Sequence, residues 1–348
     1  MLVRLSSLLL TICRLFISLV LTIVVWSFVE ASEVLAETVT SPQTCSVGVY
    51  VASLRDFNTA NGSFTADFRL WSACPSKELH PLESTQIINV INSRTAYERT
   101  LARKNKSDLF QPKDTVYWSQ REVSATIFQD WNLRNYPFDR HELKIQFEET
   151  VKSAAEFIYT PDFNNSKYDE NIDLEDWEIT NFSIQEFRVP YATTFGDPEI
   201  DIQQSRYSRL VVSIKIQRIG MVSFIKLSIG VYVTAAIMML SFLLEYEVTI
   251  STRLSLLVGA LFGALVNMQV ADSSLGTEGS VTLVGFIHII TILYILAASG
   301  IAFYLQILNE GGHQKQALYL DRQVLFQVFT ISFVVVNCIA IGYAAIVG

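Results

Sequence analysis

The sequence predicts an extracellular antiparallel β-sandwich followed by an all-α four-helix transmembrane bundle. Half of the 348 residues are hydrophobic and only 17% are charged, a composition too apolar for an ordinary soluble protein. The apolar residues are concentrated after Gly220, in four long runs. Residues 37–218 instead contain short alternating segments separated by turns, which is the pattern of β-strands.

Residues 1–36 have the pattern of a secretory signal peptide. Arg4 and Arg14 precede an apolar run over 15–29, and the segment 34–36 offers small residues for cleavage. A retained membrane anchor is the alternative for the same segment. With either, the chain that follows is delivered across a membrane.

Residues 37–218 form the predicted sandwich. Their strand segments alternate or are β-branched, and Gly, Pro, Asn and Asp separate them, which favours an immunoglobulin-like arrangement. This part of the chain is mildly acidic, as is the whole chain with a net charge of −8. A nucleic-acid partner would demand a basic face, so none is expected. The segments are SVGVYVASL, SFTADFRLW, QIINVIN, VSATIF, ELKIQFEE, WEITNFSIQEF and RLVVSIKIQR.

Two of the four cysteines flank a predicted hairpin whose turn is Asn61-Gly62. Cys45 and Cys74 lie almost equally far from this turn, so the two side chains can face each other across the strands. Outside the cytoplasm such a pair can form a disulfide. The sequence leaves a disulfide and two free thiols both open.

Four apolar segments follow, at 221–244, 254–271, 281–305 and 324–347. At 1.5 Å per residue, each can cross or nearly cross a hydrocarbon core of about 30 Å. Arg253, Lys315 and Arg322 lie at loops on one side, whereas the 272–280 loop on the other side has no basic residue. The positive-inside rule therefore predicts a multi-pass protein of the cell (inner or plasma) membrane, with the β-domain and the C-terminus outside.

The second apolar segment differs from the others, because it is polar at both ends and small or aromatic in the middle. A helical stripe of this kind suits the wall of a narrow water-filled pore with an apolar constriction. Packing of Gly259 and Gly263 against a neighbouring helix is the alternative. The residues that share the stripe are Ser251, Ser255, Gly259, Phe262, Val266, Gln269 and Ser273.

Several motifs occur in a fixed order, and in them the sequence resembles the pentameric ligand-gated ion channels. This family is the Cys-loop receptor superfamily, and the resemblance is to its bacterial members over the whole mature chain. The motifs are VYW at 116–118, the turn Tyr136-Pro137-Phe138-Asp139, Trp177 in DWEITNF, Arg218 in IKIQR, and STRLSLLVGALF from Ser251.

The sequence also departs from the family pattern. Gln129 and Leu143 stand at the positions of the signature cysteines, as in bacterial members, and the first membrane helix lacks the usual proline. Thr150 stands where many receptors place an aromatic residue. No acidic residue immediately precedes Arg253, so the usual cation-selecting ring is absent there.

The resemblance implies a homopentamer whose signature turn faces the membrane and couples the sandwich to the helices. Pro137 fixes its own φ, and Tyr136 and Phe138 form an apolar knob, so the turn can move as a rigid body. Asp139 is expected to pair with Arg218, which lies on the outer side where the positive-inside bias does not require it. An interfacial anchoring role is the alternative for Arg218.

In the pore interpretation, Phe262 and Val266 form an apolar gate that closes by dewetting. Ser255 and Gly259 lie on its inner side, and Gln269 lies towards the outer mouth. Acidic residues near the two mouths, Asp272, Glu245 and Glu247, favour monovalent inorganic cations as the permeant ions.

The resemblance places the stimulus site between neighbouring sandwiches. Aromatic rings near a carboxylate suit an ammonium group, so a small-molecule amine is the expected agonist, with protons as another possible stimulus. Packing in the sandwich core is the alternative for each aromatic residue. The candidates are Glu148, Glu149, Tyr191, Phe195 and Tyr207 on one face, and Phe68 and Tyr117 on the other.

The acidic segment YDENIDLEDW is a candidate for calcium modulation through Asp169, Glu170 and Asp173. A solvated loop is its alternative, and no cofactor is expected. The four histidines are scattered, and no nucleophile has a base nearby, so no enzyme activity is predicted.

Two other classes remain as alternatives to a channel. A non-conducting membrane receptor or sensor would need the binding domain but no polar-ended stripe in one helix. A small transporter is disfavoured by the absence of discontinuous helices and paired repeats.

Overall fold

The structure is a computed structural model that describes residues 18, 22, 41–104, 115–198, 200–244, 250–276 and 281–348. The predicted signal peptide over 1–36 lies outside these residues, except for positions 18 and 22. The described chain has two β-sheets in its N-terminal part, followed by four long apolar helices. This confirms the predicted order of a β-rich region before four helices.

The first sheet contains six strands. They are β1 (Gln43–Asn58), β2 (Ser63–Cys74), β4 (Val90–Lys104), β5 (Thr115–Phe128), β7 (Phe157–Pro161) and β8 (Lys167–Tyr168). The order is β4-β5-β2-β1-β7, and β8 also pairs with β1. The strands β7 and β8 run parallel to β1, so the prediction of a purely antiparallel sandwich is wrong here. Both are short strands that follow β6 of the second sheet, so the chain crosses to the first sheet before they pair with β1.

The second sheet contains four antiparallel strands in the order β3-β6-β10-β9. They are β3 (Thr85–Ile87), β6 (Arg140–Glu149), β9 (Trp177–Pro190) and β10 (Arg206–Arg218). The inward side chains of the two sheets form one apolar core. In it the Phe68 ring of β2 lies 5.4 Å from the Phe147 ring of β6, edge to face, which joins the two sheets.

The segment QIINVIN was predicted as one strand, but it contains the end of β3 and the start of β4, which belong to different sheets. Asn89 forms the corner between them. Its side-chain amide donates to the Lys144 carbonyl at 2.7 Å and its side-chain oxygen accepts from Gln146 N at 3.1 Å, while its own carbonyl accepts from Phe128 N at 2.8 Å. One residue thus bonds to both sheets, which alternation in the sequence cannot indicate.

The hairpin of β1 and β2 turns at 59–62, and Cys45 and Cys74 form a disulfide across it. The sequence had left the pairing open, and the structure contains the bond. Gly62 adopts a φ of +62°, the left-handed conformation that favours glycine in a tight hairpin turn.

The four long helices are α1 (Val222–Ser241), α2 (Ile250–Leu275), α3 (Leu283–Glu310) and α4 (Phe326–Val347). Each is long and apolar enough to cross a membrane, which indicates a multi-pass membrane protein. A short α-helix (Gln314–Tyr319) and a π-helical turn (Leu320–Leu325) connect α3 to α4. A core at the end far from the sheets joins all four, with Phe242, Leu257, Ile295 and Phe329 among its members.

Candidate functional site

The turn at 136–139 lies where the sheets meet the helices. Tyr136 is buried in an apolar cluster with Phe224 of α1, Leu275 of α2 and Leu283 of α3. The backbone N–H of Leu283 donates to the Arg134 carbonyl at 2.9 Å. The same cluster also contains Ala344 of α4, so the turn packs against all four helices, and we call this region the junction.

Asp139 of this turn is buried, with 2% of its surface exposed. Arg218 Nε donates to Asp139 Oδ1 at 2.8 Å and Arg218 Nη2 donates to Oδ2 at 3.2 Å, so the expected pair forms with two hydrogen bonds. Arg218 is the last residue of β10, four residues before α1 begins. The pair thus links the turn to the strand that continues into the membrane helices.

His141 is a third member of this site that the sequence analysis did not identify. Its Nε2 lies 2.7 Å from Asp139 Oδ2, and because an ionised carboxylate only accepts, this nitrogen donates. A sequence signal did exist, since residues two apart at the start of a strand share a face, as Asp139 and His141 do.

Aromatic rings surround the ion pair. The Arg218 guanidinium carbon lies 3.9 Å from the Trp177 ring centroid and 4.7 Å from that of Tyr136. Trp131 packs against His141, with centroids 4.8 Å apart. Cation–π contacts with a desolvated guanidinium are favourable, so the rings hold the charge in place.

The pKa of Asp139 reflects opposing effects. Burial by itself raises this pKa, but the hydrogen bonds from His141 and Arg218, together with the positive charge of Arg218, outweigh burial. The pKa is therefore held below the ordinary carboxyl value, and Asp139 stays charged at neutral pH.

Two close backbone approaches also connect the sheets to the helices. A side chain at Gly276, just after α2, would meet Ala60 in the β1–β2 turn, and a side chain at Gly220 would meet Asp176. Gly276 also has a φ of +68°, which favours glycine. The chain just before α1 and the chain just after α2 are thus each in contact with a loop of the β-domain.

The predicted pore stripe lies along one side of α2, and every one of its seven residues is exposed in the single chain. Phe262 is 64% exposed and Val266 is 61% exposed. The opposite side of α2 packs into the bundle instead. Its buried residues are Arg253, Leu257, Ala260, Ala264, Ala271 and Leu275.

The two glycines of α2 have different surroundings. A Cβ at Gly263 would lie 2.9 Å from the Thr234 side chain of α1, whereas a Cβ at Gly259 would meet nothing within 4 Å. Of these two glycines, Gly263 is therefore the one that packs closely against a neighbouring helix. Gly259 lies on the open side with the rest of the stripe.

Arg253 was expected at a loop on the side away from the sheets, but the structure buries it. Its guanidinium donates to both carboxylate oxygens of Asp321, at 2.9 and 2.7 Å, and lies over the Phe242 ring at 4.7 Å. Asp321 belongs to the π-helical turn before α4, and nothing in the sequence pattern identified it as a partner.

Four residues of the expected stimulus site are buried in the single chain: Phe68, Glu148, Glu149 and Tyr207. Phe68 is 1% exposed, because it packs in the core between the sheets. Glu149 is equally buried and accepts from Ser84 Oγ at 2.6 Å, on the side of β6 opposite to its neighbour Glu148. Successive residues of a strand point to opposite faces, so the two glutamates cannot act together.

The other residues of that face do come together. The rings of Tyr191, Phe195 and Tyr207 contact one another, with centroid distances of 5.0 to 6.1 Å. Tyr191 donates its hydroxyl to Glu148 at 2.6 Å. Burial and the Glu148 carboxylate raise the pKa of Tyr191. Tyr117 lies in the first sheet, in β5, apart from this cluster.

Arg209 of β10, which the sequence analysis did not identify, forms an ion pair with the Glu148 carboxylate of this cluster. Its Nε donates to Glu148 Oε2 at 2.8 Å and its Nη2 donates to the Tyr191 hydroxyl at 2.7 Å. Within one chain Glu148 is therefore paired with an arginine. An ammonium ligand would have to compete with that guanidinium.

The candidate calcium residues interact with their own loop. Asp169 accepts from the backbone and side-chain amides of Asn171, and Asp173 accepts from Glu175 N at 3.1 Å. Within the described ranges, no group of three or more His, Cys, Asp or Glu residues is placed to hold a metal. Glu245 and Glu247 lie outside the described residues.

These features define a class: a multi-pass membrane protein with a two-sheet β-domain joined to four helices through a buried ion pair. No protein-family model matches the chain, and no curated protein matches it.

Proposed function

We propose that this protein is a ligand-gated ion channel of the bacterial Cys-loop receptor type. Five copies would form a ring in the cell membrane, with an immunoglobulin-like sandwich outside and α2 lining a central pore. The observation that carries the proposal is the exposure of the whole polar-ended stripe of α2, from Ser251 to Ser273, while the opposite side of α2 is buried.

This division suits a pore better than a lipid-facing helix. The serines and Gln269 at the two ends of the stripe would cost free energy in hydrocarbon but are well solvated in a water-filled channel. Phe262 and Val266 between them would form rings of apolar side chains, at which a narrow pore loses water and closes. Gly259, with open space beside it, leaves room below the Phe262 ring.

The junction provides a route for coupling. A stimulus that shifts the sandwich would move the turn at 136–139 as a unit, because Asp139 accepts hydrogen bonds from both His141 and Arg218. The turn packs on Leu275 and Leu283, at the end of α2 and the start of α3. Movement there would change the tilt of α2 and thus the width at Phe262.

The proposed stimulus is a small-molecule amine or a change in proton concentration, acting between neighbouring sandwiches near Tyr191, Phe195 and Tyr207. Asp272 near the outer mouth supports monovalent cations as the permeant ions. Calcium modulation at the 169–173 loop is part of the same proposal, and no enzyme activity is proposed.

Voltage-clamp recording from cells that express the chain tests the proposal. An asymmetric KCl gradient would be applied while external pH, primary amines and Ca²⁺ are varied in turn, with surface labelling to verify expression. A stimulus-dependent current that reverses near the K⁺ equilibrium potential is expected. Reversal near the Cl⁻ equilibrium potential would overturn cation selectivity. If the chain is present at the surface but no current is recorded under any condition, a non-conducting receptor would be favoured.

A further inference from the structure

A cavity of about 730 Å³ lies between the β-domain and the first two helices, beside Arg218. The end of β1 and the loop between β8 and β9 form one wall. Ser223, Lys226 and Leu227 of α1, together with the end of α2, form the opposite wall. The volume is within the range of about 300–1,000 Å³ that is typical of ligand pockets. We call this space the junction cavity.

Among the described residues, three cations line the junction cavity, and two of them have carboxylate partners. Arg218 donates to Asp139, and Arg55 donates to both carboxylate oxygens of Asp67 at 2.9 and 3.0 Å. The third cation is Lys226, which is exposed and lies four residues after the start of α1. Its ammonium group is therefore available to an anionic group of a ligand.

The loop between β8 and β9 brings carboxylates to the same cavity, from Asp173, Glu175 and Asp176. Asp173 accepts from Glu175 N at 3.1 Å, and Asp176 accepts from Ser223 Oγ at 3.4 Å. Both donors are neutral, so these hydrogen bonds do not cancel the negative charge. The cavity thus presents carboxylates on its β-domain wall and an ammonium group on its helix wall.

The junction cavity lies at the depth of lipid headgroups. The 20 residues of α1 span about 30 Å, which is the thickness of the hydrocarbon core, so the start of α1 lies near the edge of that core. Below Lys226, apolar side chains spaced three or four residues apart continue along the same side of α1. They are Val222, Ile225, Ile229 and Val233, each more than half exposed. We call these four residues the α1 row.

We propose that the junction cavity and the α1 row together bind one phospholipid whose headgroup carries an ammonium group, such as phosphatidylethanolamine. Lys226 donates to the lipid phosphate, and the carboxylates of the loop between β8 and β9 accept from the lipid ammonium group. One acyl chain lies along the α1 row. The inference requires that the helices span a bilayer, and it does not require that they form a channel.

The charges separate this site from ordinary contact between lipid and helix. A lipid that only covers apolar side chains gains nothing from a lysine or from carboxylates at the level of its headgroup. A lipid with a net negative charge would be repelled by the carboxylates of the β-domain wall. A headgroup with a phosphate and an ammonium group matches both walls of the cavity.

Native mass spectrometry of the full chain in detergent tests the site. Delipidated protein is titrated with phosphatidylethanolamine and with phosphatidylglycerol of identical acyl chains, because both carry a phosphate but only the first carries an ammonium group. We expect phosphatidylethanolamine to bind more tightly. Lys226→Gln should weaken both lipids about tenfold, as expected for the loss of one hydrogen bond between charged groups. The combined Asp173→Asn, Glu175→Gln variant should weaken phosphatidylethanolamine alone.

Two matched controls retain the cavity. Lys315→Gln removes a lysine at the other end of the helices, and Glu170→Gln removes a carboxylate of the same acidic loop that does not line the cavity. Both should bind the two lipids as the wild type does. The unfolding midpoint of each variant without lipid verifies that the fold is intact.

Several outcomes would overturn the proposal. Equal affinity for the two lipids, or a preference that survives Asp173→Asn, Glu175→Gln, would exclude the ammonium contact. A loss in Lys226→Gln no larger than in Lys315→Gln would exclude the phosphate contact. Lipid bound to monomers but not to oligomers would mean that a neighbouring copy covers the α1 row. Release of the lipid by EGTA would assign the carboxylates to calcium. Because no current is measured, failure here leaves the channel proposal untouched.

Discussion

Arg253 and Asp321 form a buried ion pair with two parallel hydrogen bonds, at the end of the helices farthest from the β-domain. The pair fastens the first turn of α2 to the π-helical turn that precedes α4. Arg253 therefore points into the bundle and away from the open side of α2. In the proposed pore, the inner mouth is formed by Ser251 and Ser255, and the arginine charge is neutralised inside the protein.

Removing one partner of this pair should destabilise the protein strongly. Asp321→Ala leaves a buried guanidinium without an acceptor, which costs about 3–5 kcal/mol. The combined Arg253→Met, Asp321→Leu variant removes both charges and should be close to the wild type. Thermal unfolding in detergent measures the two. If the combined variant lost as much stability as Asp321→Ala, the loss would not come from an unpaired buried charge.

Removing Asp139 from its ion pair with Arg218 at the junction should also destabilise the protein. Asp139→Ala leaves Arg218 and His141 without their acceptor, and we expect a loss of about 3–5 kcal/mol in unfolding free energy. Glu142→Ala, which breaks an exposed pair with Lys144, is the control and should cost less than about 1 kcal/mol.

Gating should depend on the same pair. In the Arg218→Lys variant the positive charge remains but the two-bond geometry is lost, so we expect weaker responses to the stimulus at normal surface expression. If the charge-swapped Asp139→Arg, Arg218→Asp protein responded no better than either single variant, the pairing would not be the coupling element.

The contribution of Asp139 to stability should depend on pH. Because its folded pKa lies below the ordinary value of about 4, the folded state favours the ionised form, and this stabilisation is complete above that value. It is lost as pH falls through the folded pKa. The difference in unfolding midpoint between wild type and Asp139→Asn should therefore be constant near pH 5 and shrink below about pH 4. A difference that stays constant down to pH 3 would contradict this assignment.

Phe262→Ala should open the proposed pore without a stimulus. Truncating the ring widens and partly hydrates the apolar constriction, so we expect a several-fold increase in resting current or in sensitivity. Leu293→Ala removes apolar volume from an exposed position of α3 and serves as the control. Unchanged gating in Phe262→Ala would place the constriction at another ring of α2.

The disulfide should stabilise the β-domain. Cys45 and Cys74 are 29 residues apart, and opening a loop of that length costs about 3.6 kcal/mol in the chain-entropy treatment. Cys45→Ala, Cys74→Ala should lower the unfolding midpoint, as should a reductant added to the wild type. Cys338→Ala is the control, and a midpoint unaffected by the paired substitution would contradict the prediction.

The sequence by itself determined the features that depend on local periodicity. Alternation predicted β1, β2, β6, β9 and β10, and the Asn61-Gly62 turn brought Cys45 and Cys74 opposite each other. Long apolar runs predicted the four helices, and the 3.6-residue period grouped seven residues of α2 into one stripe, all of which are exposed in the single chain. The ion pair of Asp139 and Arg218 came from the motif resemblance rather than from periodicity.

Only the tertiary structure decided the partners that are distant in sequence or hidden by strand alternation. Asp321 lies 68 residues from Arg253, and Arg209 lies 61 residues from Glu148, so no local pattern joins them. The sequence analysis assigned Phe68 and Glu149 to a stimulus site between subunits, but the folded β-domain buries both side chains. Local patterns report which faces are apolar, but which polar groups meet depends on how those faces pack, and a buried charge then needs a specific partner.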